Sequence, residues 1–173
     1  MDREEFLASV DRAIIRVYEN DSELLDLKVS ERAIAHRLAV YIEESEDFEN
    51  SDVDCEYNRY GNERMVKALE GIGDCEARKR SKDPQDWITP DILIHRRESE
   101  DKDNVAVFEI KTAKPLDDCD RKKLTGMTLK SGSFRYDFGL GLEFYERFCA
   151  RLLFIDGEPQ SEEPEKLDIP LRQ

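Results

Sequence analysis

The chain has 173 residues, a net charge of −14 and a pI near 4.7, with 39% of its residues charged and 39% hydrophobic. That length suits one domain around one core, and no run of eighteen apolar residues offers a membrane span. The acidity weighs against nucleic-acid binding, which rests on Lys and Arg neutralising phosphates; it is equally read as a solubility requirement, a salty cytoplasm or a surface for a basic partner.

The charge is unevenly placed. Residues 76–135 hold 14 Lys/Arg against 12 Asp/Glu, and the rest holds 13 against 29. That middle section alone does not repel a polyanion. Met1-Asp2-Arg3-Glu4-Glu5 lacks a signal-peptide core, so a cytoplasmic protein with no membrane association is expected. Cys55, Cys75, Cys119 and Cys149 are widely spaced with no C-x-x-C pair, and they read as reduced thiols.

In chain order, residues 2–18 form an amphipathic helix with Asp2 as N-cap and a stripe of Phe6, Val10, Ile14, Val17 and Tyr18. Leu24, Leu25, Leu27 and Val29 make an apolar turn. Ser30 caps a second helix over 31–44, with Ile34, Leu38, Tyr41 and Ile42 facing inward. Glu31 precedes Ile34 by three and Leu38 by seven, on that inward stripe. It either complements the helix dipole or is an acidic group aimed at a site. His36 falls on the polar side. Residues 52–58 alternate as a strand, Val53, Cys55 and Tyr57 on one face, Asp54 and Glu56 on the other as edge charges or site contributors.

Residues 61–87 are less regular. A helix is expected over 63–69, ended by Gly71 and Gly73. Arg78, Lys79, Arg80 and Lys82 then form a basic loop, either a solvated linker or a grip on phosphates, and Trp87 anchors the next strand in the core. Residues 90–96 and 104–111 are two β-branched, apolar runs joined by a charged tip, which predicts antiparallel neighbours. With period two, Asp91, Leu93 and His95 share a face. So do Val105, Val107, Glu109 and Lys111, while Ala106, Phe108 and Ile110 point the other way. Pairing brings Asp91 beside Glu109 and Lys111 and leaves His95 at the far end, without a catalytic role. A helix follows over 117–130, capped by Asp117 and ended by Gly132, with Leu124 and Met127 inward and Arg121, Lys122, Lys123 and Lys130 lending a basic side. Strands are expected over 134–144, with Gly139 and Gly141 allowing close approach, and over 149–155. Residues 1–156 would be one domain and 157–173 an extended or disordered acidic tail.

Charges in otherwise buried strands must be paired or hold a metal. A cross-strand ion pair is the bland reading. The chemical one is two carboxylates beside an ammonium, a set suited to Mg²⁺ with its waters and phosphate oxygens.

Pro90-Asp91 followed by Glu109-Ile110-Lys111 resembles the PD-(D/E)XK nuclease superfamily, to which many restriction endonucleases and junction resolvases belong. The order helix, three strands, helix, strand across residues 30–145 is similar to that superfamily's αβββαβ core. The fold class expected is therefore α/β, a mixed α+β sheet of restriction-endonuclease-like type with an added N-terminal helix and C-terminal strand. The resemblance implies that Asp91, Glu109 and the Ile110 carbonyl ligate Mg²⁺ or Mn²⁺ and that Lys111 positions the attacking water. It also implies that Glu31 adds an acidic group, and that Lys122, Lys123 or Lys130 touch phosphate. The implied activity is metal-dependent phosphodiester hydrolysis of nucleic acid, DNA ahead of RNA. No helix-turn-helix or zinc finger is visible, so substrate recognition would need a homodimer or partner subunit. Two rival readings stand beside it: a catalytically silent nuclease-like fold that docks a protein through its acidic surface, and a structural ion pair in a domain of unrelated function.

Overall fold

The computed structural model describes residues 1–27, 29–57, 88–97 and 103–169, with the backbone of 59–60 and 65–66. Helix α1 (Arg3–Asn20) starts at a capping box: the Asp2 carboxylate accepts from the Glu5 N–H and Glu5 accepts from the Asp2 N–H, so two terminal donors are satisfied reciprocally. After the short α2 (Ser22–Asp26), α3 (Glu31–Glu43) buries Ile34, Leu38, Tyr41 and Ile42, the stripe its periodicity predicts. Strands β1 (Asp52–Cys55), β2 (Arg59–Tyr60), β3 (Met65–Val66), β4 (Ile92–His95) and β5 (Ala106–Thr112) follow. Then come α4 (Asp118–Thr128), β6 (Phe138–Phe144), β7 (Phe148–Ile155), β8 (Glu158–Pro159) and β9 (Glu165–Asp168).

The fold is mixed α+β, with a seven-stranded sheet ordered β1-β4-β5-β6-β7-β8, β9 also pairing with β7, and a separate β2-β3 ribbon. β5 and β6 run parallel and the other pairs are antiparallel. A parallel neighbour requires a crossover, and α4 provides it. Period two splits the sheet into two apolar faces. Ile92, Ile94, Phe108, Ile110, Leu140 and Leu142 pack under α1 and α3, with Phe6 stacked on Phe138 at 4.3 Å. Leu93, Val107, Leu152 and Phe154 pack under Leu116, Leu124 and Met127. Each such side chain, fully buried, contributes about 1.5–3 kcal/mol of transfer free energy. Two glycines set how near α4 lies: a Cβ at Gly139 would press on Thr128, and one at Gly141 would run into Leu116. No helix among the described residues is long and apolar enough to cross a membrane.

Several boundaries differ from expectation, each for a local reason. β1 stops at Cys55 because Glu56 adopts φ 51, a left-handed conformation that breaks a strand. β6 begins at Phe138, not 134, because Arg135 is likewise left-handed (φ 51) while Phe134 and Tyr136 turn into the core beneath α4. α4 ends at Thr128, since Leu129 has already left helical geometry. Where a helix was expected over 63–69, Met65–Val66 pairs as a strand with Arg59–Tyr60. The rest of that segment, the basic loop of Arg78, Lys79, Arg80 and Lys82, and Trp87 lie outside the described residues. The tail from Gly157 contributes β8 and β9 to the sheet. The expectation of reduced cysteines fails at Cys119, which is disulfide-bonded; Cys55 and Cys149 are free thiols.

Candidate active site

β4 and β5 pair with Ile92 opposite Phe108 and Ile94 opposite Ala106. One further step of that register sets Asp91 against Glu109, where the sequence places it. Beyond Phe108 the β4 edge of β5 has no partner strand among the described residues, and the Asp91 side chain closes it: the Ile110 N–H donates to Asp91 Oδ2 at 2.6 Å. A strand residue sends its N–H and C=O to the same side, so the Ile110 carbonyl faces the same gap.

Glu109 and Lys111 share the Val107 face, beneath α4. Glu109 is 1% exposed. Its Oε2 is ion-paired with Lys123 Nζ, while its Oε1 has no hydrogen-bond partner among the described residues. Lys111 pairs with neither Glu109 nor Asp91: its Nζ lies 3.0 Å from Asp120 Oδ1, itself 3.8 Å from Lys123 Nζ. Asp120 has a second task, accepting the Asp117 N–H at 2.9 Å in the capping box that starts α4. Glu143, opposite Lys111 across β5–β6, is also buried and committed, accepting from the Leu116 N–H at 2.9 Å and the Tyr145 hydroxyl at 3.1 Å.

These surroundings shift the titrating groups. Burial pushes the Glu109 carboxyl up to about 8; Lys123 pulls it down and Asp91 pushes it further up. Burial also raises Asp91, against the pull of the Ile110 N–H, Lys123 and Lys111. Burial works against the Lys111 charge, but the bonded Asp120 carboxylate outweighs it and the Lys111 pKa rises.

The donor set suits a hard cation. Asp91 and Glu109 are neighbours by register and the Asp91 charge acts on Glu109, the Ile110 carbonyl lies on the Asp91 side of β5, and one Glu109 oxygen is buried without a partner among the described residues; Mg²⁺ favours one or two carboxylates, the remainder being water and phosphate oxygen. Among the described residues no third His, Cys, Asp or Glu completes a cluster. Glu31 is instead 2.9 Å from Lys114 at the start of α3. Of the implied phosphate contacts, Lys122 is exposed, Lys130 is 2.6 Å from Asp137 and Lys123 lies in the centre. His95 sits at the opposite end of β4, its Nε2 3.0 Å from Asp54 Oδ2, and Arg97 also bonds that carboxylate. Asp54 is thereby tied to a structural network away from Glu109.

Sequence reasoning missed Asp120, Glu143 and Lys114, and it read Lys123 as a surface contact. The signal for two of these was present. Positions 120, 123, 124 and 127 fall on one stripe of a helix, so Asp120 and Lys123 project inward with Leu124 and Met127. No family model matches the chain, and no match is found among curated proteins or solved structures.

Proposed function

We propose that the chain is a metal-dependent phosphodiesterase of the PD-(D/E)XK type, a nuclease acting on nucleic acid, DNA ahead of RNA. The observation that carries this reading is Glu109 Oε1, buried without a partner among the described residues in a side chain that feels the Asp91 charge and lies two residues from Lys111. An unpaired buried acceptor costs about 1–3 kcal/mol, which a bound cation would recover.

Asp91, Glu109 and the Ile110 carbonyl would hold Mg²⁺ or Mn²⁺, which supplies an activated water and neutralises charge on the phosphoryl oxygens. The chain's own groups do the rest. Lys111 faces the reacting phosphate and holds positive charge there, and Asp120 positions it. Ionised, the cluster of Asp91, Glu109, Asp120, Lys111 and Lys123 sums to −1; a dication makes it +1, complementary to a phosphodiester. Lys123 is then free to turn from Glu109 to phosphate, and the exposed Lys114 and Lys122 flank the path of the backbone.

The test is Mn²⁺-dependent cleavage of single-stranded, duplex and branched DNA and RNA, comparing wild type with Glu109→Gln, alongside calorimetric metal binding. Cleavage lost in the variant is expected. Neither cleavage nor metal binding by wild type would overturn the reading. It would leave the second one, a catalytically silent docking module with an acidic surface. That alternative is favoured by the net charge of −14 and by the existing ion pairs of Lys123 and Lys111.

A further inference from the structure

A cavity of about 440 Å³ opens where the carboxyl ends of β5 and β6 meet the start of α3. Leu25, Val29, Ala113 and Phe144 give it apolar walls, and Glu31 and Glu146 add carboxylates. It adjoins the candidate centre. Thr112 and Ala113 follow Lys111 directly, and the Glu31 charge acts on both Asp91 and Lys111. Ala113 takes φ 55 and donates its N–H to the Phe144 carbonyl at 2.8 Å; left-handed geometry in a residue with a Cβ is strained and gathers at ligand sites. Ser30, also on the wall, occupies the N-cap of α3 yet makes no capping bond, so its hydroxyl is uncommitted to the helix.

The chemistry of the walls selects an occupant. Glu146 disfavours a phosphate, and Glu31, although held by Lys114 at 2.9 Å, keeps acceptor lone pairs for a donor. A neutral planar ring with apolar faces and N–H donors fits: its faces meet the aliphatic and aromatic walls and its amino groups meet the carboxylates, as cytosine N4 donates to Glu. The volume lies in the range of small-molecule sites. We propose that this cavity binds one unpaired nucleobase of the strand whose phosphodiester lies at Asp91 and Glu109, an inference resting on the function proposed above. The preferred substrate then carries an unpaired nucleotide beside the scissile bond, as a single strand, overhang or junction does, because extruding a base from intact duplex must first break its pairing and stacking.

Two measurements on the full chain test this. In the first, the fluorescence of 2-aminopurine riboside is titrated with wild type and with Val29→Trp, which puts an indole on the cavity wall and keeps both wall carboxylates. Saturable quenching is expected, weakened about tenfold or more in the variant, the scale of one lost stacking contact. In the second, wild type cuts single-stranded DNA with Mn²⁺ while an abasic site is walked across the cleaved bond, and a slowing of about tenfold is expected at one position. Should Val29→Trp fail to fold, the abasic series decides alone. Cleavage indifferent to every abasic position, with no nucleoside binding, overturns the pocket and leaves the nuclease standing. Nucleoside binding blocked by Val29→Trp, without metal-dependent cleavage, keeps the pocket and sinks the nuclease.

Discussion

Replacing Glu109 with Gln probes the energetics of the centre without any substrate. The Glu109 carboxyl titrates at 4.5 in a free chain and at about 8 when folded. Below the first value both states hold the proton. Between the two, the folded chain holds a proton that the unfolded chain has released, so native stability falls as pH rises, by about 1.4 kcal/mol per unit. Gln carries no such proton. Its stability relative to wild type should therefore climb by about 2–3 kcal/mol between roughly pH 5.5 and pH 7.5 and flatten above about pH 8. For a domain of this size that is about 5–10 °C in Tm. Urea unfolding in chelator at a series of pH values, with the Cys119 disulfide intact, measures the difference directly, and titrations common to both proteins cancel. Saturating Mg²⁺ should restore wild type and leave the variant unmoved, because a ligand stabilises the state it binds. A difference constant across pH would refute the argument: Glu109 would be ionised throughout, with Lys123 compensating its burial.

The same cluster yields further expectations. Metal binding to wild type near neutral pH should release about one proton, since the cation displaces the one on Glu109; calorimetry in buffers of different ionisation enthalpy reads it, and zero release counts against the site. Lys123→Met removes a buried positive charge beside the carboxylates and should tighten Mn²⁺ about tenfold or more while lowering cleavage; unchanged affinity would place Lys123 outside the metal's field. Asp120→Ala breaks the buried pair with Lys111 and a capping bond together, and should cost about 3–5 kcal/mol in urea unfolding. Gly141→Ala forces a methyl against the Leu116 side chain and should cost about 1–3 kcal/mol in urea unfolding; a neutral effect would mean that Leu116 repacks freely.

The residues of the centre were legible where chain connectivity fixes geometry. Period two and a short antiparallel pairing put Asp91 beside Glu109 whatever the remainder of the fold does, and Asp2 and Asp117 mark their helix starts because capping is local. The partner of Lys111 was not legible from β5 alone. It depends on how near α4 lies to the sheet, which Gly139 and Gly141 decide, and on the capping box that turns Asp120 inward. Glu31 keeps the place its inward stripe indicates, its charge acting on Asp91 and Lys111, but its ion pair with Lys114, which follows β5, was not legible. The left-handed residues Glu56 and Arg135 moved strand ends because neither is a glycine or asparagine that would announce the turn.

An ion-paired cluster of this kind is a poor device for stability alone. Burying charges costs several kcal/mol per ion, and well-packed apolar residues of similar volume are often as stable or more so. Here the pairing is also incomplete. Asp120 satisfies Lys111, and Glu143 is spent on Leu116 and Tyr145, but Glu109 retains an oxygen with no partner among the described residues and a carboxyl pushed up to about 8. An ion pair serving rigidity alone would end with Lys111 on Glu109, two residues away on the same face of β5. Instead Lys111 is drawn to Asp120 on α4, which leaves Glu109 Oε1 without a partner among the described residues, in the field of Asp91. The group left short of a partner among the described residues is the one that a cation would complete, and metal binding to wild type against Glu109→Gln tests that reading against the structural one.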